Sequence, residues 1–138
     1  MSSMFIDTSG WGNLYIPTEN YHSHAVQCFQ QARQQRQTLI TTNYIIMELV
    51  ALLNSPLQVS RPRVFEIVDS IKAASFVQVI HISSEIDFSA WELCKSRADK
   101  TWSLVDCSSF IVMQQLNIHK ALTTDRHFEQ AGFMRLLK

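Results

Sequence analysis

The feature that most constrains this chain is the alternation of short apolar, β-prone runs with longer segments of helical spacing. Met4-Phe5-Ile6 is an apolar run that stops at Asp7-Thr8-Ser9-Gly10, the pattern of a buried strand ending in a turn. A short helix around Trp11 to Ile16, ended by Pro17, is followed by a helix over His22 to Arg36 with apolar positions at Ala25, Val26, Phe29 and Ala32. Thr38 to Thr41 reads as a second strand, and Asn43 as the N-cap of a strongly apolar helix from Tyr44 to Leu53. Asn54-Ser55-Pro56 breaks that helix, Arg61 to Ser75 resumes helical spacing, and Val77 to Ile82 is predicted to be a strand. Ser84 is expected to cap a helix running to Arg97, Leu104 to Leu116 forms the next, and Lys120 to Thr123 is a short strand. A short helix over Arg126 to Ala131, closed by Gly132, and a last strand over Phe133 to Leu137 complete the chain.

Strands separated by helices imply a parallel sheet covered on both faces, because parallel neighbours need crossover connections. The expected fold is α/β, a three-layer sandwich around a central, mainly parallel sheet of about five strands, with residues 1–138 forming a single domain. In open sheets of this kind the site lies beyond the carboxyl ends of the strands. Asp7 and Asp125 both fall there.

Composition narrows the function classes. The 12 basic and 12 acidic side chains cancel, which argues against coating nucleic acid by bulk attraction. A local phosphate path remains open, and the Arg33/Arg36 and Arg61/Arg63 pairs are candidates for parts of one, or else solvated helix ends. Cys28, Cys94 and Cys107 are widely spaced without a C-x-x-C pair, so no zinc or redox motif is present and a reducing compartment is expected. No signal peptide and no apolar run of about 18 to 20 residues is found, which predicts a cytoplasmic protein with no membrane association. Three glycines, Gly10, Gly12 and Gly132, make neither a dinucleotide fingerprint nor a P-loop.

Four acids are the candidate chemistry. Asp7 follows the first strand directly, and Ser9 two residues on points to the same region, positioned for a ligand, a carboxylate or water; both also suit a helix start and its turn. Glu48 is the most informative, because Tyr44 to Leu53 is otherwise almost wholly apolar and Ile45 and Leu52 share its helical face. An unpaired carboxylate there costs on the order of several kcal/mol, so it needs a cation, strong hydrogen bonds or an opening to water. Asp106 matches a capping box with Ser103, yet shares a face with Phe110 and Met113 that must be buried. Asp125 ends the Lys120 to Thr124 region and precedes Arg126-His127-Phe128, where it also fits an N-cap. Carboxylates gathered at one edge repel each other unless a cation neutralises them. Oxygen-only ligation suits Mg²⁺ or Mn²⁺, one ion or a pair about 4 Å apart, and such a site can hydrolyse phosphodiesters.

These segments resemble the PIN-domain nucleases, and particularly the VapC-like toxins of bacterial toxin–antitoxin systems. The pieces are Phe5-Ile6-Asp7-Thr8-Ser9, Glu48 within Thr42 to Leu53, Trp102-Ser103-Leu104-Val105-Asp106-Cys107, and Leu122-Thr123-Thr124-Asp125-Arg126-His127-Phe128. The ordered set spans nearly the whole chain. The resemblance implies that Asp7, Glu48, Asp106 and Asp125 are the catalytic, metal-binding acids and that Ser9 is an auxiliary hydroxyl. It further implies an Mg²⁺- or Mn²⁺-dependent endoribonuclease that leaves a 5′-phosphate and a 3′-hydroxyl, homodimerises, and, as a toxin, is inhibited by a cognate antitoxin protein. Lys100 and Asp99 fall in a region that approaches the site in similar proteins, and Lys100 and Arg126 are either phosphate contacts or solvated charges.

Two rivals remain on the sequence. An aspartyl-phosphate-type phosphatase also places an Asp after the first strand, but its usual second Asp, two residues on, is here Ser9. A non-catalytic PIN-like module binding RNA or protein is disfavoured by the retention of all four acids. Catalysis by Cys107 is disfavoured because no histidine is placed by sequence as its base; His22 and His24 read as exposed helix-start residues, and His81, His119 and His127 as isolated.

Overall fold

In the computed structural model, which describes residues 2–138, the expected alternation closes into one five-stranded sheet. Its strands are β1 (Ser3–Ile6), β2 (Thr38–Thr42), β3 (Val77–Ile80), β4 (Lys120–Leu122) and β5 (Met134–Arg135). They lie in the order β3-β2-β1-β4-β5, and every pairing is parallel. Among the described residues there are seven helices: α1 (Thr8–Tyr15), α2 (His22–Gln34), α3 (Asn43–Asn54), α4 (Arg61–Ala73), α5 (Ser84–Ser96), α6 (Leu104–Gln115) and α7 (Arg126–Gln130). Parallel crossovers are right-handed, so the steps from β1 to β2 and β3 put α1 to α4 on one face. The return to β4 and β5 puts α5 to α7 on the other. The three-layer α/β architecture read from the sequence is the observed one, with a sheet that is wholly rather than mainly parallel. None of these helices is long and apolar enough to cross a membrane.

The strand order reverses between β1 and β4, and that is where an open α/β sheet splays its loops apart to form a crevice. The central strands beneath it are sealed: Phe5, Ile6, Leu39, Ala121 and Leu122 are completely inaccessible. Phe110 of α6 sits among the rings of Trp102, Phe128 and Phe133 at 5.0, 5.0 and 5.7 Å, which locks α6 and α7 onto the β4 side. On the other face Trp11 donates its indole N–H to Thr41 Oγ1 at 3.1 Å, and Thr41 donates in turn to the Ile6 carbonyl at 2.9 Å. That chain of bonds fixes α1 against the ends of β1 and β2.

Several element ends differ from expectation, each for a local reason. Helix α1 starts at Thr8 rather than near Trp11, because Asp7 itself caps it. Thr42, not Asn43, caps α3 by accepting from Ile45 N at 3.0 Å. Asn43 instead accepts from Ile82 N at 2.8 Å, which explains why β3 stops at Ile80: β2 has already turned into α3, and the Ile82 amide finds a side chain where a strand would have been. Ser83 rather than Ser84 caps α5. The last strand is only two residues long, since beyond Arg135 the Leu136 and Leu137 amides reach the Ala121 and Thr123 carbonyls without a regular ladder.

Candidate metal centre

Asp7, Glu48, Asp106 and Asp125 all line one cleft of about 450 Å³ at the switch point, together with Ser9. Four different pieces of chain deliver them. Asp7 is the residue on which β1 ends and α1 begins, Glu48 lies in the second turn of α3, Asp106 in the first turn of α6, and Asp125 is the cap of α7 after β4. The helix starts are therefore what aim three of the acids. Asp7 accepts from Gly10 N at 2.9 Å, Asp125 from His127 N at 2.9 Å, and Asp106 closes the predicted capping box with Ser103, both bonds at 3.0 Å.

Asp7 forms the floor. It is 6% exposed, and both of its oxygens are engaged: Oδ1 accepts from Ser9 Oγ at 2.8 Å as well as from Gly10, and Oδ2 accepts from Thr123 Oγ1 at 2.6 Å. Burial pushes its carboxyl up to about 7, against the pull of the Thr123, Gly10 and Ser9 hydrogen bonds, and the negative charge of Asp125 adds to the rise. Glu48 is raised above the ordinary range for the same first reason, burial. The Thr8 hydroxyl, donating at 2.6 Å, offsets part of that, while Asp106 and Asp125 repel its charge. Ile45 and Leu52 do lie beside Glu48 in the cleft wall. No Lys or Arg lines the cleft, so the acids have hydroxyls and backbone amides for company but no side-chain cation of that kind.

Asp106 and Asp125 form the rim and come together with a residue expected to be isolated. His127 Nδ1 stands 3.0 Å from Asp106 Oδ2 and 3.3 Å from Asp125 Oδ1. One atom from each of the three residues falls within 4.8 Å of the others, a spacing able to hold a metal ion; Asp7 and Glu48 share the cleft but do not join that tight group. His127 is thus a correction to the sequence expectation. The Asp-x-His spacing at the start of α7 was the available signal, since a side chain two residues past a cap points back over it.

Thr8 and Thr123 are further site residues with no signal of their own in the sequence. Thr8 opens α1 and Thr123 follows β4, and each is a hydroxyl whose importance comes from a partner 40 or 116 residues away. Ser9 reaches the region as expected and spends its hydroxyl on Asp7, while accepting from Thr124 N at 2.9 Å, so it staples α1 to the end of β4.

None of the cations proposed for a phosphate path lines the cleft. Arg33 lies over the Phe76 ring at 3.8 Å and Arg36 falls in the turn before β2, at the edge of the sheet opposite the acids. Arg61 covers Phe65. Lys100 is 3.8 Å from Asp99, which Arg97 already grips through two nitrogens, and Arg126 is exposed beside Asp125. Cys94 of α5 and Cys107 of α6 meet at 3.0 Å as free thiols. Burial and the Cys94 contact push the Cys107 thiol up to about 12, the opposite of an activated nucleophile.

No protein-family model matches the chain. It is 27% identical over 133 residues to the 23S rRNA-specific endonuclease VapC20 of Mycobacterium tuberculosis, covering 96% of this chain and 97% of that protein. The crystal structure of the same VapC20, described as a sarcin-ricin loop cleaving toxin, superposes with a TM-score of 0.83 at 26% identity over 99% of this chain and 100% of that one. The fold is PIN-like, and the chain is similar to VapC20 along nearly its whole length. Two more distant solved structures share the fold: PAE2754 from Pyrobaculum aerophilum, with a TM-score of 0.66 at 15% identity over 98% and 90% of the two chains, and a toxin–antitoxin complex from Klebsiella pneumoniae, at 0.55 and 18% over 90% and 88%. Within this VapC-like framework the acidic cleft occupies the switch point between β1 and β4.

Proposed function

We propose that this chain is a metal-dependent endoribonuclease, with Asp7, Glu48, Asp106 and Asp125 as its catalytic metal-binding acids and Ser9 as an auxiliary residue. The observation that carries the proposal is the convergence of four carboxylates, two of them raised by burial, on one cleft with no lining Lys or Arg. A divalent cation relieves that repulsion, and the oxygen-rich donor set fits Mg²⁺ or Mn²⁺. The bound ion would supply Lewis acidity and ease the deprotonation of water at neutral pH.

The chain's own residues do the rest. Ser9 and Thr123 hold both Asp7 oxygens in place, and Thr8 orients Glu48. The helix starts fix Asp106 and Asp125 so that little rearrangement accompanies substrate entry. Attack by water on phosphorus, in line with the leaving 3′-oxygen, yields a 5′-phosphate and a 3′-hydroxyl. A phosphatase using Asp7 as nucleophile is disfavoured by its surroundings, because the carboxylate is 6% exposed and hydrogen-bonded at both oxygens.

The biological setting in this proposal is a cytoplasmic toxin held in check by a cognate antitoxin and acting as a homodimer within one domain, residues 1–138. Support comes from the likeness to VapC20 and, in fold, to a chain of a toxin–antitoxin complex. Phe88 and Trp91, one turn apart on α5 and exposed, offer an apolar face for a second copy. Because VapC20 is a sarcin-ricin loop cleaving toxin, that ribosomal RNA hairpin is the first defined substrate to try.

The deciding experiment incubates a mixed RNA pool and the hairpin with wild-type protein and Asp7→Asn, with Mg²⁺, with Mn²⁺ and with chelator. Cleavage by the wild type alone, and only with metal, is expected. Activity that survives both the substitution and the chelator rejects the mechanism.

A further inference from the structure

The rim of the cleft carries an imidazole where oxygen ligands alone were expected. Its Nδ1 lies 3.0 Å from Asp106 Oδ2 and 3.3 Å from Asp125 Oδ1. Neighbouring corners of an octahedron around an ion with bonds of about 2.1 Å are about 3 Å apart. The three atoms therefore already have the spacing of adjacent ligands. Neither carboxylate is free to drift: that of Asp125 also accepts the His127 backbone N–H at 2.9 Å, and that of Asp106 accepts the Ser103 backbone N–H at 3.0 Å.

The far side of the ring supports the same role. Nε2 is 3.3 Å from the Thr101 hydroxyl, a partner able to accept its proton. A metal-bound histidine almost always donates its other N–H to such a group, which fixes the tautomer and turns the free lone pair toward the ion. His127 is also reachable, with 27% of its side chain exposed against 16% for Asp106 and 31% for Asp125.

We propose that His127 is an inner-sphere ligand, binding the ion through Nδ1 beside Asp106 and Asp125, and that it biases the site toward Mn²⁺ over Mg²⁺. This rests on the metal-site proposal above. The preference is relative: both ions favour oxygen, but Mg²⁺ gives up its waters reluctantly, whereas Mn²⁺, a transition ion, accepts one imidazole nitrogen among oxygen ligands more readily.

Pulsed electron paramagnetic resonance on the Mn²⁺-loaded, full-length protein reads the bond directly. Wild type is expected to show ¹⁴N coupling from a directly bound imidazole, and His127→Gln to lose it. Calorimetry should find the Mn²⁺:Mg²⁺ affinity ratio falling about tenfold or more in His127→Gln, with Mg²⁺ affinity changed less. Mn²⁺ bound tightly without ¹⁴N coupling in the wild type overturns the assignment of His127 and leaves the acidic site standing. No Mn²⁺ or Mg²⁺ binding at all overturns both. The wild-type spectrum decides the question even where the variant fails to fold.

Discussion

The floor and the rim of the cleft hold the same chemical group in two ways. Asp7 and Glu48 on the floor take hydroxyl bonds from Thr123, Ser9 and Thr8, and burial raises both. Asp106 and Asp125 at the rim take backbone amides at two helix starts and share an imidazole. The floor is thus strained electrostatically and gains most from a cation. The rim is anchored first by secondary structure and would keep its shape without one. A site assembled this way has one half waiting for charge and another half supplying a fixed frame.

The strongest test of that contrast is Asp7→Asn, which keeps the shape of the floor while removing its charge. Cleavage should fall about a thousandfold or more, the scale of a lost several-kcal/mol charge interaction with the metal. Far-ultraviolet circular dichroism should stay unchanged. An active Asp7→Asn protein would mean that the rim alone carries the chemistry.

Next in size is the pH dependence of stability without metal. Folded Asp7 keeps its proton to about pH 7, while in the unfolded chain it ionises near the ordinary value of about 4. The native state binds the extra proton between these limits, so the contribution of Asp7 is full below about pH 4, shrinks as pH rises, and is gone above about pH 7. Denaturant melts under chelation should lose on the order of a few kcal/mol over that window, and Asp7→Asn should remove that part of the slope. Saturating Mn²⁺ should restore stability at pH 8, since binding competes with the proton. Parallel profiles for the two proteins would show that the floor is better solvated than its burial implies.

Smaller effects separate the supports. Thr123→Val removes the 2.6 Å donor to Asp7 and should weaken metal binding about 10- to 100-fold by calorimetry. Ser9→Ala leaves Asp7 with Thr123 and Gly10 and should cost about tenfold or less. Equal losses from the two would blur the distinction between the deeply buried donor and the one at the cleft wall.

The fold was largely legible because it depends on local pattern. The apolar run at Met4-Phe5-Ile6, the helical spacing of Arg61 to Ser75 and the breaks at Pro17 and Pro56 all act within a few residues. Strand ends were less so: β3 stops where β2 has turned into α3, and β5 where the Leu136 and Leu137 amides leave the regular ladder with the β4 side, and both depend on a neighbouring segment distant in sequence. In the site, Glu48 stood out as a charge in an apolar helix, Asp7 and Asp125 as helix caps, and Asp106 as the acid of a capping box. Their meeting in one cleft follows from the strand order. Thr8 and Thr123 were invisible, since a threonine at a strand end is ordinary until its partner is known. His127 lay beside an acid already chosen, and the bond to Asp106, 21 residues back in the chain, is what gives it a role.

Gly10 shows how far the demands of the cleft reach. It sits in α1 where the helix crosses the end of β4, and a Cβ there would run into the Leu122 carbonyl oxygen and come within 2.9 Å of the Ile6 side chain. Even alanine must lift the helix start away from β4, and with it Asp7 from Thr123. In a growth selection for cells that escape this protein, inactivating changes should therefore accumulate at position 10 beside those at the acids, although glycine has no side chain with which to touch an ion or an RNA.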